Sequence, residues 1–215
     1  MKINIAILGS TGSIGENILD IVRKDKKNLK VVLLTANKNY KKLIQQAKEF
    51  KVKNILIYND KYYEFLKVKL KGRKINIFSR KTKLNKILKK KVDYTICGIS
   101  GLDGLKPTLD VIKFTKTIAS ANKESIICGW YLINKKLKKY NTKFIPIDSE
   151  HYSIWNLTRE YSNNDIEEII LTASGGPLLN SPIRIQKTIT PEKTVRHPKW
   201  KMGKKISVDS ANLMN

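Results

Sequence analysis

Acidic residues are scarce in this chain, with eighteen Asp and Glu against forty-three Lys and Arg over 215 residues, a formal charge of +25. Cysteine is scarcer: Cys97 and Cys128 stand alone, in the apolar stretches VDYTICGIS and ESIICGW. Two cysteines with no secretory signal exclude a disulfide-stapled scaffold and predict free thiols in a reducing compartment. No hydrophobic run reaches the length of a membrane span, and the opening MKINIAILG is too short in its apolar part for a signal peptide. A soluble cytoplasmic protein without a membrane partner is expected. The excess of positive charge first suggests nucleic acid. Its distribution argues otherwise, because the lysines lie in separate surface runs and not beside an aromatic-rich groove. No nucleic-acid partner is expected, whereas a small anionic substrate suits the charge.

What is present reads as alternation. INIAILG (3–9) runs into STGSIG and then a helical spacing at Ile18, Ile21 and Val22; LKVVLLTA (29–36) is a second apolar run, completing a β-α-β unit. The pattern continues with a helix over 39–50, a strand over 54–58, a Lys-rich helix, a strand over 74–79, a helix over 82–90, a strand over 92–99, a helix over 106–114 and a strand over 117–121. Continuous apolar strands separated by helices predict a parallel sheet covered on both faces. The fold class is α/β: a Rossmann-like nucleotide-binding domain over 1–143, followed by an incomplete α/β catalytic domain over 144–215. In the second region a helix is expected at 151–160, a strand at 167–176 and another strand opening KISVDSANLMN. Four of the six prolines fall between 177 and 198. With poor periodicity, they predict a mobile loop over about 180–200.

Gly9, Gly12 and Gly15 sit at the first strand-to-helix junction, where small residues let backbone approach a pyrophosphate at the positive end of a helix. Their spacing, G-x-x-G-x-x-G, is specific only in that context. Past the second strand an NAD site would place an acid for the ribose 2′-hydroxyl. The chain has TANKNYKK instead, and Lys38, helped by Asn37, Asn39 and Lys41, suits a 2′-phosphate. NADP is preferred over NAD. In IPIDSEH (145–151), Asp148 and Glu150 would share one face of an extended segment with Ser149 on the other, which supplies hard oxygen ligands for Mg2+ or Mn2+. Lys123 and His197 could contact phosphate or move protons; Ser174, Trp200, Ser210 and Asn215 lie in further polar motifs.

GSTGSIG (9–15), ASANKES (119–125), PIDSEH (146–151), SGGP (174–177), RHPKWKMGKKISVDSA (196–211) and the closing MN together resemble the 1-deoxy-D-xylulose 5-phosphate reductoisomerase family, in order and across nearly the whole chain. The resemblance implies metal-assisted rearrangement of that sugar phosphate and NADPH reduction to 2-C-methyl-D-erythritol 4-phosphate, in non-mevalonate isoprenoid biosynthesis, by a homodimer. It implies metal binding by Asp148 and Glu150, and catalytic roles for these two with Lys123 and His197. Substrate contacts are implied for Ser149, Glu150, Ser174, His197, Ser210 and Asn215, with Trp200 in a lid. Cofactor contacts are implied for Thr11, Gly12, Ser13, Ile14, Lys38, Asn39, Asn122, Lys123 and Glu124. Two departures stand out. Asn37 occupies a usual glycine position, and the family's next lysine, its metal-completing glutamate and its carboxy-terminal helical domain do not follow Asn215 here. The 215 residues alone are expected not to turn over substrate. Another NADP-dependent dehydrogenase and a non-catalytic NADP-binding remnant are the competing readings.

Overall fold

A computed structural model of the chain describes residues 1–170, 175–182, 184, 187–200 and 203–211. It divides into two compact units, Met1–Arg159 and Glu160–Asn215. The first is built on seven parallel strands: β1 (Ile3–Leu8), β2 (Leu29–Ala36), β3 (Asn54–Ile57), β4 (Asn76–Ser79), β5 (Val92–Cys97), β6 (Thr115–Ser120) and β7 (Lys143–Pro146). Their order is β4-β3-β2-β1-β5-β6-β7, so the chain winds outward from β1 and then reverses through β5. The expected α/β class and parallel sheet are therefore present.

The apolar runs are continuous because both faces of each central strand are buried. Along β1, Ile5 and Ile7 enter one core while Ala6 and Leu8 enter the other. Leu34, Ile55 and Ile57 join the first, and Leu33 and Leu56 the second. The first core is closed by α1 (Ser13–Lys24), α2 (Tyr40–Glu49) and α3 (Asp60–Lys69), the second by α4 (Leu105–Val111) and α5 (Lys123–Tyr140). Leu34 is fully buried; truncating such a side chain to Ala costs about 2–5 kcal/mol. Side-chain caps start several helices: Asn39 on α2, Asn59 on α3, Asn122 on α5, and Asp148 on α6 (Ser149–Thr158). Among the described residues no helix is long and apolar enough to cross a membrane.

Four expectations about elements change. The helix over 82–90 is only a 3-10 turn at Leu84–Lys86, since its apolar residues are few and Ile87 and Leu88 plug the second core directly. The segment after β7 is not extended through Glu150: Asp148 has extended backbone, but Ser149 and Glu150 already belong to α6. Residues 166–170 form no strand, and 171–174 lie outside the described residues. KISVDSA is helical over Lys204–Ala211, not a strand. There the hydroxyls of Ser207 and Ser210 donate back to the carbonyls of Gly203 and Ser207, at 3.2 and 3.1 Å, which satisfies them within the helix. Within the second unit this helix packs on the turn Gly176–Leu178 and the short helix Pro191–Thr194. The compact division falls at Arg159, and β7 completes the first unit's sheet.

Candidate active site and cofactor crevice

A parallel sheet whose winding reverses leaves a crevice beyond the carboxyl ends of the two strands at the reversal, here β1 and β5. Ladder bonds continue past the strand ends and hold the following loops side by side. Ser10 N donates to Thr35 O and Tyr58 N to Ala36 O, at 2.8 and 2.9 Å; Gly98 N, Ala121 N and Ile147 N donate to Leu8 O, Cys97 O and Ser120 O, at 2.9, 3.1 and 2.9 Å. A cavity of about 710 Å³ opens there, walled by Gly9, Thr11 and Gly12 after β1, Asn37 after β2, Tyr58 after β3, Arg80 and Thr82 after β4, and Gly98 and Ile99 after β5.

The three glycines have different reasons. Gly9 has φ +82°, and a Cβ there would lie 2.9 Å from Gly98 O. Gly15 lets α1 approach β1, for a Cβ would lie 2.5 Å from Ser10 Cα. At Gly12 a Cβ would meet Gly9 O at 3.6 Å and Gly98 O at 4.0 Å, both ordinary contacts, so the protein's own packing does not require glycine there. Gly12 is also the N-cap of α1 and supplies no side-chain hydrogen bond. Nothing on the cap residue therefore competes with an anion for the helix's first amides, and Gly12 leaves room for the anion to reach them. The residues fit a dinucleotide pyrophosphate. Glu16 in this first turn is held by Lys42 at 2.5 Å, which offsets its charge.

The turn is locked from beneath by residues that the sequence reading did not single out. Gly9 N donates to Thr35 Oγ1 at 3.0 Å; the buried Ser10 hydroxyl lies 2.8 Å from Gln46 Oε1, and Gln46 Nε2 donates to Ser10 O at 2.9 Å. A buried glutamine among the lysines of α2 has no sequence signature. Gly98, after the apolar run of β5, does: it is a strand-terminal glycine that faces the first one. Cys97, below it, is a packing residue whose thiol is pushed up to about 12 by burial. Burial also raises Tyr58 above the ordinary phenol range, so it walls the cavity as a neutral phenol. Both cysteines are free, Cys97 buried and Cys128 exposed.

Of the expected cofactor residues, Thr11 and Gly12 line the cavity, and Ser13 and Ile14 open α1. Lys38 and Asn39 follow β2; Lys38 is exposed, and the Asn39 side chain accepts from Lys42 N at 3.2 Å. Asn122, Lys123 and Glu124 begin α5 at the end of β6. The Asn122 side chain is fully engaged by the protein. Its Nδ2 donates to Ile99 O and, at 2.8 Å, to Gly101 O, while Oδ1 accepts from Ser125 N at 2.7 Å. It pins the loop after β5, and the Asn122 backbone N–H donates to Ser120 Oγ at 3.3 Å.

Asp148 stands at the end of β7, three strands from β1 on the same sheet edge, roughly 14 Å away at ordinary strand spacing. Its Oδ1 accepts from His151 N at 3.1 Å and lies 2.6 Å from His151 Nδ1. Its Oδ2 is buried and has no hydrogen-bond partner among the described residues. A buried carboxylate oxygen without a partner is costly and is what a cation would satisfy. Glu150, two residues on, accepts from Ser149 Oγ at 3.0 Å and is half-buried in the first turn of α6. Among the described residues no three His, Cys, Asp or Glu cluster as a metal site. The two acids fit part of a hard-cation site.

In the second unit, His197 Nδ1 accepts from the backbone N–H of Lys199 and of Trp200, each at 3.1 Å, which leaves the ring proton on Nε2. Its ring stacks on Trp200 at 4.7 Å, and Trp200 is exposed. Ser210 is buried. Ser174 and Asn215 lie outside the described residues.

A parallel sheet whose winding reverses, with a glycine turn at the reversal and a buried acid on the same edge, defines a doubly wound, Rossmann-like α/β protein. Two family models match, 1-deoxy-D-xylulose 5-phosphate reductoisomerase over residues 5–129 and the carboxy-terminal domain of the same enzyme over 144–215. The chain belongs to the 1-deoxy-D-xylulose 5-phosphate reductoisomerase family. It is 54% identical to the reductoisomerase of Pelagibacter ubique over 213 residues, covering 98% of this chain and 55% of that protein. With the Wolbachia enzyme from Culex pipiens the identity is 44%, over 98% of this chain and 54% of the relative. Among solved structures, the Zymomonas mobilis reductoisomerase in complex with NADPH superposes with a TM-score of 0.86 at 35% identity, over all of this chain and 55% of the other. A reductoisomerase in complex with NADPH, fosmidomycin and magnesium gives 0.86 at 34% identity, over 99% and 55%. The chain spans about half the length of the curated relatives it matches.

Proposed function

We propose that the protein carrying these residues converts 1-deoxy-D-xylulose 5-phosphate to 2-C-methyl-D-erythritol 4-phosphate with NADPH, in non-mevalonate isoprenoid biosynthesis. The observation that carries this reading is the placement, on one sheet edge, of the Gly12 turn and of Asp148 with its buried unpartnered oxygen. Thr11, Gly12, Ser13 and Ile14 hold the pyrophosphate, Lys38 and Asn39 the adenosine phosphate, and Asn122, Lys123 and Glu124 the reducing end. A cofactor centred on β1 and β5 then points its reactive half along β6 toward Asp148. Asp148 and Glu150 hold Mg2+ or Mn2+, with Ser149 on substrate between them. When bound, the divalent ion stabilises negative charge on the substrate's carbonyl and hydroxyl oxygens, and NADPH supplies the hydride. Ser174, His197, Ser210 and Asn215 orient the sugar phosphate, Lys123 and His197 serve its charge and proton transfers, and residues 180–200 close over it with Trp200 to exclude water.

The proposed organisation is a cofactor domain over 1–143 and a catalytic portion over 144–215, in a cytoplasmic homodimer with neither nucleic-acid nor membrane partners. Binding of 1-deoxy-D-xylulose 5-phosphate is supported by the relatives' names and by the fosmidomycin complexes of two solved structures.

The test joins these 215 residues to the remaining portion of the Pelagibacter relative and follows NADPH oxidation with 1-deoxy-D-xylulose 5-phosphate and Mn2+. Turnover that Asp148→Asn and Glu150→Gln each reduce by at least about a hundredfold is expected, the order of loss for a mispositioned reacting group. NADPH binding without substrate-dependent oxidation in a folded chimera would leave the cofactor-binding remnant as the better reading.

A further inference from the structure

The cavity wall is electrostatically uneven. Among the described residues that line it, two are cations, Arg80 and Lys106. Lys106 is matched on its own helix by Asp110 at 2.7 Å, and Asp103 lines the same side, so the α4 side carries more acid than base. Arg80 follows β4, and its partner, Asp60 at 2.9 Å, does not line the cavity. This pair is open to solvent, with side chains 60% and 47% exposed, and a surface pair of that kind is weak enough to exchange for a stronger anion.

Strand order gives the second observation. β3 separates β2 from β4, so the carboxyl ends that bear Lys38 and Arg80 stand two strand spacings apart, about 10 Å. An anion above the end of β3 falls between them, and a guanidinium offers it two donors in a fixed plane, which a lysine cannot. A pyrophosphate on the α1 turn leaves the adenosine ribose on this side of the crevice, over β2 and β3.

We propose that Arg80 is a specificity residue: it leaves Asp60 and grips the ribose 2′-phosphate from the β4 side, opposite Lys38, so that NADPH selection depends on both. The assignment rests on the cofactor reading above and deepens it. Nothing in the sequence pattern marks Arg80, because it stands forty-two positions after Lys38, in a loop whose only signal is its charge.

The experiment titrates NADPH and NADH into the 215-residue chain by nicotinamide fluorescence, for wild type, Arg80→Met, Arg80→Lys, Lys38→Ala and Asp60→Asn, with thermal melts to establish folding. Arg80→Met should weaken NADPH about tenfold and leave NADH within about twofold, as expected for one charge-assisted phosphate contact. Arg80→Lys should fall between wild type and Arg80→Met, and Asp60→Asn should leave NADPH as tight as wild type or tighter. Equal weakening of both cofactors by Arg80→Met would mean stacking on the adenine and overturn the assignment, as would an unchanged NADPH to NADH ratio. Wild type binding neither cofactor would instead refute the cofactor reading itself.

Discussion

The two glycines that bracket the start of α1 can be separated experimentally, because one is required by the fold and the other only by a ligand. In Gly15→Ala the new methyl would lie 2.5 Å from Ser10 Cα and 2.6 Å from Gly9 O, both backbone, so no rotamer relieves it. Overpacking of this kind costs about 1–3 kcal/mol, and with backbone as the obstacle the upper end applies. Alanine returns about 1 kcal/mol of helix propensity, which leaves a net loss of about 2 kcal/mol. For a unit of this size that lowers the melting temperature by roughly 4–8 °C. In Gly12→Ala the methyl meets Gly9 O at 3.6 Å with φ at −85°, so strain is small; the change at an N-cap costs at most about 1 kcal/mol. The methyl nevertheless occupies the approach to the α1 amides. Saturation with NADPH at about a hundred times its Kd should stabilise wild type by about 2.7 kcal/mol, an upward shift of roughly 5–10 °C. Melts with and without NADPH should show Gly15→Ala lowered in the free form and Gly12→Ala near wild type but without the cofactor shift. A full cofactor shift in Gly12→Ala, or a Gly15→Ala protein as stable as wild type, would refute this division.

Asn122→Ala should cost about 3 kcal/mol, since it strands Ile99 O, Gly101 O and Ser125 N at once; chemical denaturation measures it, and a loss under about 1 kcal/mol would show that water replaces the side chain. Native protein at pH 8 should react with a thiol reagent at Cys128 alone and at both cysteines after unfolding, as their exposure dictates. Stability should decline under alkali: the Cys97 thiol is raised from 9.0 to about 12 in the folded state, so its contribution is complete below pH 9 and is lost as pH rises toward 12. Tyr58 is raised too and acts in the same direction above pH 10. Cys97→Ala should flatten the fall in denaturation midpoint between pH 8 and 10.5, and an unchanged slope would contradict it.

The sheet was legible because burial on both faces writes itself as unbroken apolar runs: ILTA-like stretches such as LKVVLLTA have no polar alternation to mislead. Errors arose where a residue's neighbours are distant in sequence. Leu84, Ile87 and Leu88 have helical spacing, yet they serve a core assembled from α4, α5 and β5, and only one turn forms. KISVDSA has β-branched residues, but it packs on the Gly176–Leu178 turn and on Pro191–Thr194 as a helix, and such packing overrides a weak local preference. Asp148 was found for its acidity and Glu150 for its spacing from Asp148, although i and i+2 alternation does not apply: Asp148 caps the helix to which Glu150 belongs. Gln46 and Arg80 are tertiary residues of the crevice with no local pattern at all.

The scarcity of acids makes Asp148 more informative than a carboxylate would be in an average protein. With forty-three cationic side chains available, carboxylates here readily find partners: Glu16 has Lys42, Asp20 and Glu49 share Arg23, Asp60 has Arg80, Asp93 has Lys116 and Asp110 has Lys106. Asp93 shows the ordinary outcome, its carboxyl held below the usual range by the Lys116 ammonium and by Asn4 N. Asp148 instead keeps one oxygen for the amide and ring of His151, and its other oxygen is buried without a donor among the described residues, in a protein rich in lysine. Lysine is abundant, yet no donor among the described residues bonds this oxygen. A buried carboxylate oxygen that no described donor reaches can be satisfied by a cation from solution. Replacing Asp148 by Asn should therefore cost little stability, because an asparagine oxygen still caps α6, while Mn2+ binding, read by the quenching of its free paramagnetic resonance signal, should fall at least about tenfold. Equal Mn2+ binding by wild type and Asp148→Asn would show that the buried oxygen is a packing accident and remove the metal from this edge of the sheet.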